Sequence, residues 1–485
     1  MFSRLRKKLN DAFHLRFALI ALGLVLLTAG MLIGGDQTYP QVRSFNHQHA
    51  AIGPRQVQLV IAFSRPMNRA SVEENFQITP PVEGRFSWIG RRMAYTLDEP
   101  LPRETAYEVR ISQSAIDQFG RPLKREFVAN FQTLPARFAY LSDVGSGHQQ
   151  LWLYELESGQ TRPITPDPLR VTRFQPHPDG QRIFFMATRE DALGESFYLS
   201  DQQALYVVDL KTEEITLLAG TEGLVNHDFS ISRDGAVIGI NRASLTASGQ
   251  IFSRDIWWKV DGEKKWEQFW KPGLGVGDFH LAPDGITILV ASPEGYLLLP
   301  LIDESGRDPQ YVGQFWDTYG FSPTGRRILF EENSDFGLTV YYNHWVLLHE
   351  SGERLVIGEN LGNLAFPKLD DEEQHLYFSG LPIAWERAGR LQYQLYQHHL
   401  EEETRTVIGE TSDFSIEAFD LLPDRALIVA EHHPVDSPDN RGPEVRKIED
   451  DKIQPMVKAD LMLLDLRDGE WKPLGIQGRK PQWLP

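Results

Sequence analysis

Three histidine pairs, His47 with His49, His398 with His399 and His432 with His433, come nearest in type and spacing to a metal-binding pattern in this chain. Imidazoles build a zinc or calcium-type site in company, as in His-Glu-x-x-His on a helix or beside the acidic ladder of an EF-hand loop, and neither motif accompanies these pairs. Neighbouring strand residues point to opposite faces, so His398-His399 reads as half core and half surface. His432-His433 opens a polar stretch, 432–458, rich in Pro, Asp, Glu and Lys, which reads as a long insertion in the last repeat with a metal or partner loop as the alternative. No metal or cofactor is assigned.

A serine nucleophile on a strained elbow needs Gly-x-Ser-x-Gly, which is absent; Gly145-Ser146-Gly147 is the nearest fragment and reads as a hairpin loop. Glycoside cleavage needs two acids facing each other across a cleft. The acidic runs Asp370-Asp371-Glu372-Glu373 and Glu401-Glu402-Glu403 fall instead at turns and read as solvated loop tips. No catalytic residue is assigned. One set remains: Arg173, Asp228, Asp278 and Thr318, each just ahead of an inner-strand aromatic, with Glu417 one place earlier in its own repeat. These are the binding candidates, placed at a channel mouth to hold a cation or a basic peptide, or else to hydrate the funnel.

The elements that would position them repeat. Pro178-Asp179-Gly180, Arg233-Asp234-Gly235, Pro283-Asp284-Gly285 and Pro323-Thr324-Gly325 each precede a buried apolar strand, with degenerate copies at Asp370-Asp371-Glu372 and Pro423-Asp424-Arg425. The chemistry is that of a tight hairpin: Pro presets φ, Asp bonds its own backbone, and Gly takes positive φ. Third strands follow at 151–156, 204–210, 255–260, 296–301, 344–349, 395–400 and 460–466, and each leads through a polar turn to an outer strand. Four antiparallel strands per repeat at this period mean propeller blades, seven of them, with six or eight as alternatives. The first repeat lacks an inner strand, and Lys480-Pro481-Gln482-Trp483-Leu484-Pro485 supplies one, so a C-terminal strand is expected to close the ring.

Ahead of the repeats, residues 50–134 hold six short strand-like runs between Pro and Gly turns, the pattern of a β-sandwich. Residues 36–49 read as a polar linker. The uncharged run from Phe17 to Ile33, extended by Gly34 and Gly35, is long enough to span a bilayer. Residues 1–16 carry Arg4, Arg6, Lys7, Lys8 and Arg16 against Asp11, so this arm is expected to stay cytoplasmic. The alternative is a cleaved signal peptide, for which Thr28-Ala29-Gly30 is a weak site. The expectation is a single-pass signal anchor (17–35) at the cell membrane with the bulk of the chain extracytoplasmic, periplasmic or at the cell surface. Net charge is −18, and no basic cluster lies beyond the arm, which argues against nucleic acid. The chain has no cysteine, which removes disulfides and thiolate chemistry.

Two stretches resemble known families. Phe63-Ser64-Arg65-Pro66-Met67-Asn68, Leu97-Asp98-Glu99-Pro100-Leu101 and Ala115-Ile116-Asp117-Gln118-Phe119-Gly120 resemble the bacterial Ig-like domain, which implies a spacer or adhesion module. Phe174-Gln175-Pro176-His177-Pro178-Asp179-Gly180 and Leu205-Tyr206-Val207-Val208-Asp209-Leu210 resemble the TolB-like propeller repeats of bacterial envelope proteins. That second resemblance covers residues 136–485 and implies a ligand that is another envelope protein or a peptide. The whole reads as an all-β binding or scaffold protein, not an enzyme, with a propeller hydrolase or lyase acting on envelope polysaccharide, or its accessory subunit, as the rival.

Overall fold

The computed structural model describes residues 38–485 except 55–57, 144–148, 168, 190–202, 221–223, 246–250, 270–276, 303–308, 336–340, 359–360, 388–389, 423, 425 and 436–458. The anchor expected at 17–35 and the Gly145-Ser146-Gly147 loop lie outside the described residues. Among the described residues no helix is long and apolar enough to cross a membrane. The regular structure of the described chain is almost entirely strand, and the chain divides into two compact units.

The first unit is a sandwich. One sheet orders Val42–Phe45, Gln58–Phe63, Arg92–Leu97 and Gly84–Ile89, and a second joins Phe127–Thr133, Ala106–Ile111 and Phe76–Thr79. Alternate residues turn inward, as period-two strands require: Leu59, Ile61 and Phe63 on one strand and Tyr107, Val109 and Ile111 on another are buried. A short helix, Arg69–Glu74, is capped by Asn68, whose side chain accepts a hydrogen bond from Ser71 N. The turn word around Asp117 has a structural reason: its buried carboxylate accepts the amides of Phe119 and Arg121 and meets the Arg121 guanidinium at 3.1 Å. The stretch read as a linker, 36–49, is not one throughout, because Val42–Phe45 pairs with Gln58–Phe63 and buries Phe45. A strand this short and polar carries too little periodicity to be seen in the sequence. Residues 51–56 and 100–105 belong to the second unit, so the sandwich is interrupted where the sequence suggested one block.

The second unit consists of seven four-stranded antiparallel sheets among the described residues, here numbered in chain order from Arg137. Their first strands are Leu169–Pro176, Leu224–Ile231, Phe279–Leu281, Asp317–Phe321, Leu361–Leu369 and Phe414–Leu422 for sheets 2 to 7, while sheet 1 takes Arg479–Trp483 from the far end of the chain. That strand pairs antiparallel with Arg137–Asp143, with Trp483 opposite Phe138. The apolar clusters show why the sheets stand in a cycle. Phe174 and Phe185 of sheet 2 pack with Leu141 and Leu151 of sheet 1. Equivalent clusters join sheets 2 and 3, 3 and 4, 4 and 5, 5 and 6, and 6 and 7. One more places Leu422, Leu427 and Val429 of sheet 7 against Phe138, Tyr154 and Trp483 of sheet 1. Each sheet is thus apolar on both faces, as a propeller-like fold requires. Trp257 and Trp258 illustrate the rule, one ring entering the cluster with sheet 2 and the other the cluster with sheet 4.

The repeated turn works as its residue types require. Asp179, Asp234 and Asp284 each accept backbone amides two or three residues on, and Gly180, Gly235 and Gly285 take φ of +65°, +76° and +68°. At Gly235 a side chain is barred twice over, since a Cβ there would lie 2.2 Å from the His177 ring of the adjacent sheet. The acidic run at 370–373 is not a solvated tip. Asp370 is buried and accepts Gln374 N, His375 N and the His375 ring, while Glu373 accepts Thr324 N from sheet 5 at 2.7 Å.

Asp179 gives this turn a pH dependence. Burial pushes its carboxyl up, but the His177 ring, the Gln181 amide and Arg182 outweigh burial and hold it well below the ordinary 3.8. A depressed carboxyl contributes stability that is present above its unfolded pKa and lost as pH falls through the folded one. Asp179→Asn is therefore expected to cost about 1–3 kcal/mol at pH 7. In urea unfolding of the full chain, the gap to wild type should narrow as pH drops below about 4.

Candidate functional site

The first strands of the seven sheets line the axis of the cycle, and five of them, in sheets 2, 3, 5, 6 and 7, share an irregularity with the closing strand of sheet 1. The register slips between Val171 and Arg173, Asn226 and Asp228, Thr318 and Gly320, Ala365 and Lys368, Ile416 and Phe419, and Arg479 and Gln482. A bulge inserts a residue, breaks the alternation and re-aims side chains. It falls at four of the five binding candidates, Arg173, Asp228, Thr318 and Glu417, so simple parity could not say where these point.

Three of the five gather. Arg173 of sheet 2 forms an ion pair with Asp228 of sheet 3, and both are solvent-accessible. Arg173 also acts on His280 of sheet 4, as do Asp278 and Asp317, so groups from sheets 2, 4 and 5 converge on one imidazole. Burial first and the Arg173 charge second push the His280 pKa down to about 4, against the pull of Asp317 and Asp278, and the ring is neutral at pH 7. Tyr319 donates to Glu331 at 2.7 Å, and its phenol is pushed up by burial and by the Glu331 and Asp317 charges. Trp316, next to Asp317, is 73% exposed. The result is a polar mouth with carboxylates, the Arg173 guanidinium and exposed aromatic rings.

Thr318 and Glu417 do something else. Thr318 is buried, donates to Leu329 O at 3.0 Å and accepts Gly320 N, so it braces the bulge. Glu417 is buried with Glu431 and His433, and the side-chain donor atoms of the three lie within 4.8 Å of one another. Sequence reading placed His433 in an insertion. It lies instead in the strand Leu427–Pro434, where Glu431 and His433 stand two apart and share a face, a spacing of Glu-x-His visible in the sequence once the strand is recognised. No recognised motif accompanies the histidine pairs in the sequence, yet the fold brings His433 into a compact histidine–carboxylate set. His432, on the opposite face, packs its ring against Trp471 with centroids 4.2 Å apart, and burial pushes its pKa down to about 3.

The opposite end of the axis, where the hairpin turns lie, is crossed by Arg233 of sheet 3, which reaches Asp371 of sheet 6 at 3.1 Å. Beside it is a pocket of about 210 Å³ lined by Lys368, Asp371, Asp420, Trp483 and Arg103 among others. Lys368 meets Asp420 at 3.2 Å there, so its charges are matched internally. Ser351 and His349 approach to 2.8 Å, but in an exposed hairpin whose amide the same imidazole nitrogen also contacts.

The family model for the bacterial Ig-like domain matches residues 36–133. That for the dipeptidyl peptidase IV N-terminal region matches residues 118–244. No curated protein matches the chain. Among solved structures, TolB from Acinetobacter baumannii is 11% identical, with 85% of this chain and 83% of that one covered and a TM-score of 0.42. An oligogalacturonate lyase in complex with manganese is 11% identical, covering 61% of this chain and 82% of its own at a TM-score of 0.45. Acylaminoacyl peptidase in complex with Z-Gly-Gly-Phe-chloromethyl ketone is 16% identical over 70% of this chain and 52% of that one, with a TM-score of 0.46.

Proposed function

We propose that this chain is a membrane-anchored, extracytoplasmic binding protein. In this reading residues 17–35 hold it in the bilayer, the Ig-like domain is a spacer, and a closed seven-bladed propeller recognises an envelope protein or peptide at its axial mouth. The observation that carries the reading is the convergence of Arg173, Asp278 and Asp317 from different sheets around His280, with Asp228 paired to Arg173 and Trp316 exposed beside them. Charged groups and an exposed large aromatic at one opening suit recognition of an extended polar segment, with the aromatic as the anchor. The hairpin-turn end, crossed by the Arg233–Asp371 pair, leaves this mouth as the face a partner meets.

The test is site-specific photocrosslinking in native membranes, with the photoreactive residue at position 316 of the full chain. One discrete adduct with an envelope protein or peptide is expected, and Asp278→Lys with Asp317→Lys should abolish it. No adduct, together with depolymerisation of a cell-wall polysaccharide by the purified protein, would reverse the reading in favour of an enzyme.

A further inference from the structure

The cluster in sheet 7 is built by strand parity. Glu431 and His433 share one face of Leu427–Pro434, and the register sets Ser415 opposite His433, so Glu417, two residues on from Ser415, comes to that same face just at the bulge. His433 Nε2 lies 3.1 Å from Glu431 Oε2 and 3.6 Å from Glu417 Oε2, and all three side chains are no more than 2% exposed. Ligand atoms bonded to one ion at roughly 2.0–2.2 Å stand about 3–3.6 Å apart, so both imidazole-to-carboxylate spacings suit a shared ion, and the two carboxylates lie within 4.8 Å of each other.

Arg479 of the closing strand stands beside the cluster, its Nε 3.7 Å from Glu431, which places the three side chains at the seam where the cycle closes.

We propose that Glu417, Glu431 and His433 bind one divalent first-row transition ion, of the zinc or manganese class, at the seam between sheet 7 and the closing strand. One imidazole and two carboxylates are borderline-to-hard donors that suit such ions, whereas calcium asks for six to eight oxygens. Three protein ligands leave at least one position open. Glu431 also accepts the Lys480 amide, so the ion ties sheet 7 to the strand that closes sheet 1.

The full-length protein in detergent, stripped with chelator and desalted, is titrated separately with Zn²⁺, Mn²⁺ and Co²⁺. Expected are one equivalent of metal retained, a rise in unfolding temperature, visible Co²⁺ bands of a four- or five-coordinate site, and a single coordinated imidazole nitrogen in the electron spin-echo spectrum of the Mn²⁺ form. Glu417→Gln and His433→Gln should weaken retention by more than the roughly 10–100-fold that losing an outer partner costs. His398→Gln, a buried imidazole elsewhere, should leave it unchanged. A wild-type protein that retains no ion and does not shift its unfolding temperature overturns the proposal. Retention unaffected in folded Glu417→Gln and His433→Gln proteins overturns it equally. Should either variant fail to fold, the wild-type stoichiometry and its imidazole signature decide alone.

Discussion

Trp483→Ala is expected to lower the stability of the full chain by about 3–5 kcal/mol, the range for removing a large buried aromatic side chain. The indole is 5% exposed and meets the Phe138 ring edge-on with centroids 5.1 Å apart. Its Nε1 donates to Asp420 O at 3.2 Å, and the Trp483 amide donates to the Asp420 carboxylate at 2.8 Å. These contacts reach both sides of one seam: Phe138 is in sheet 1, to which Trp483 belongs, and Asp420 is in the first strand of sheet 7. The substitution therefore leaves a cavity where the cycle closes. It also frees the edge of Arg137–Asp143, an apolar strand whose unpaired backbone invites association with other chains. Denaturant unfolding followed by near-ultraviolet circular dichroism measures the loss, and light scattering the association. Ile89→Ala, at a position 83% exposed in the sandwich, is the matched control and should stay within about 0.5 kcal/mol. A loss below about 1 kcal/mol for Trp483→Ala would mean that closure does not depend on this residue.

That seam was the most legible part of the sequence, because an incomplete first repeat and a spare inner-strand word at the far end can be matched without knowing any side-chain contact. The hairpin turns were legible for a similar reason: Asp and Gly act there on their own backbone within three residues. What escaped was whatever depends on the bulges. The set Arg173, Asp228, Asp278, Thr318 and Glu417 shares a position relative to an aromatic residue, but the slipped register sends Arg173 and Asp228 to the mouth, Thr318 into its own bulge and Glu417 into a buried cluster. Asp317 and His280, which complete the mouth, sit one residue before and two residues after the selected Thr318 and Asp278. Glu431 and His433 were hidden by composition, since the polar run that follows them made the strand look shorter than it is. Asp370 and Glu373 show a related effect: charge at a turn suggests solvation, yet both carboxylates hold backbone amides.

Arg103 shows how far a single charge can be committed to such a fold, and Arg103→Met is expected to cost about 3–5 kcal/mol. The guanidinium belongs to the segment Pro100–Thr105, which lies in the second unit, and its side chain is 1% exposed. It binds Asp424 of the sheet 7 hairpin turn through Nε at 2.8 Å and through a second nitrogen at 3.3 Å, and donates to Pro135 O at 3.1 Å. The pair does not create stability merely by being buried, because desolvating both ions offsets much of their attraction. The loss comes from what the substitution leaves: a carboxylate 9% exposed without its bidentate partner, and a backbone carbonyl without its donor. The double variant Arg103→Met with Asp424→Leu separates these contributions. It removes both charges, should recover much of the loss, and should give a coupling energy of roughly 1–3 kcal/mol in a double-mutant cycle on the full chain. If Asp424→Leu alone proves neutral and the double variant is no better than Arg103→Met, the carbonyl contact and packing of the arginine stem carry the effect, and the ion pair is incidental to how the segment Pro100–Thr105 is held.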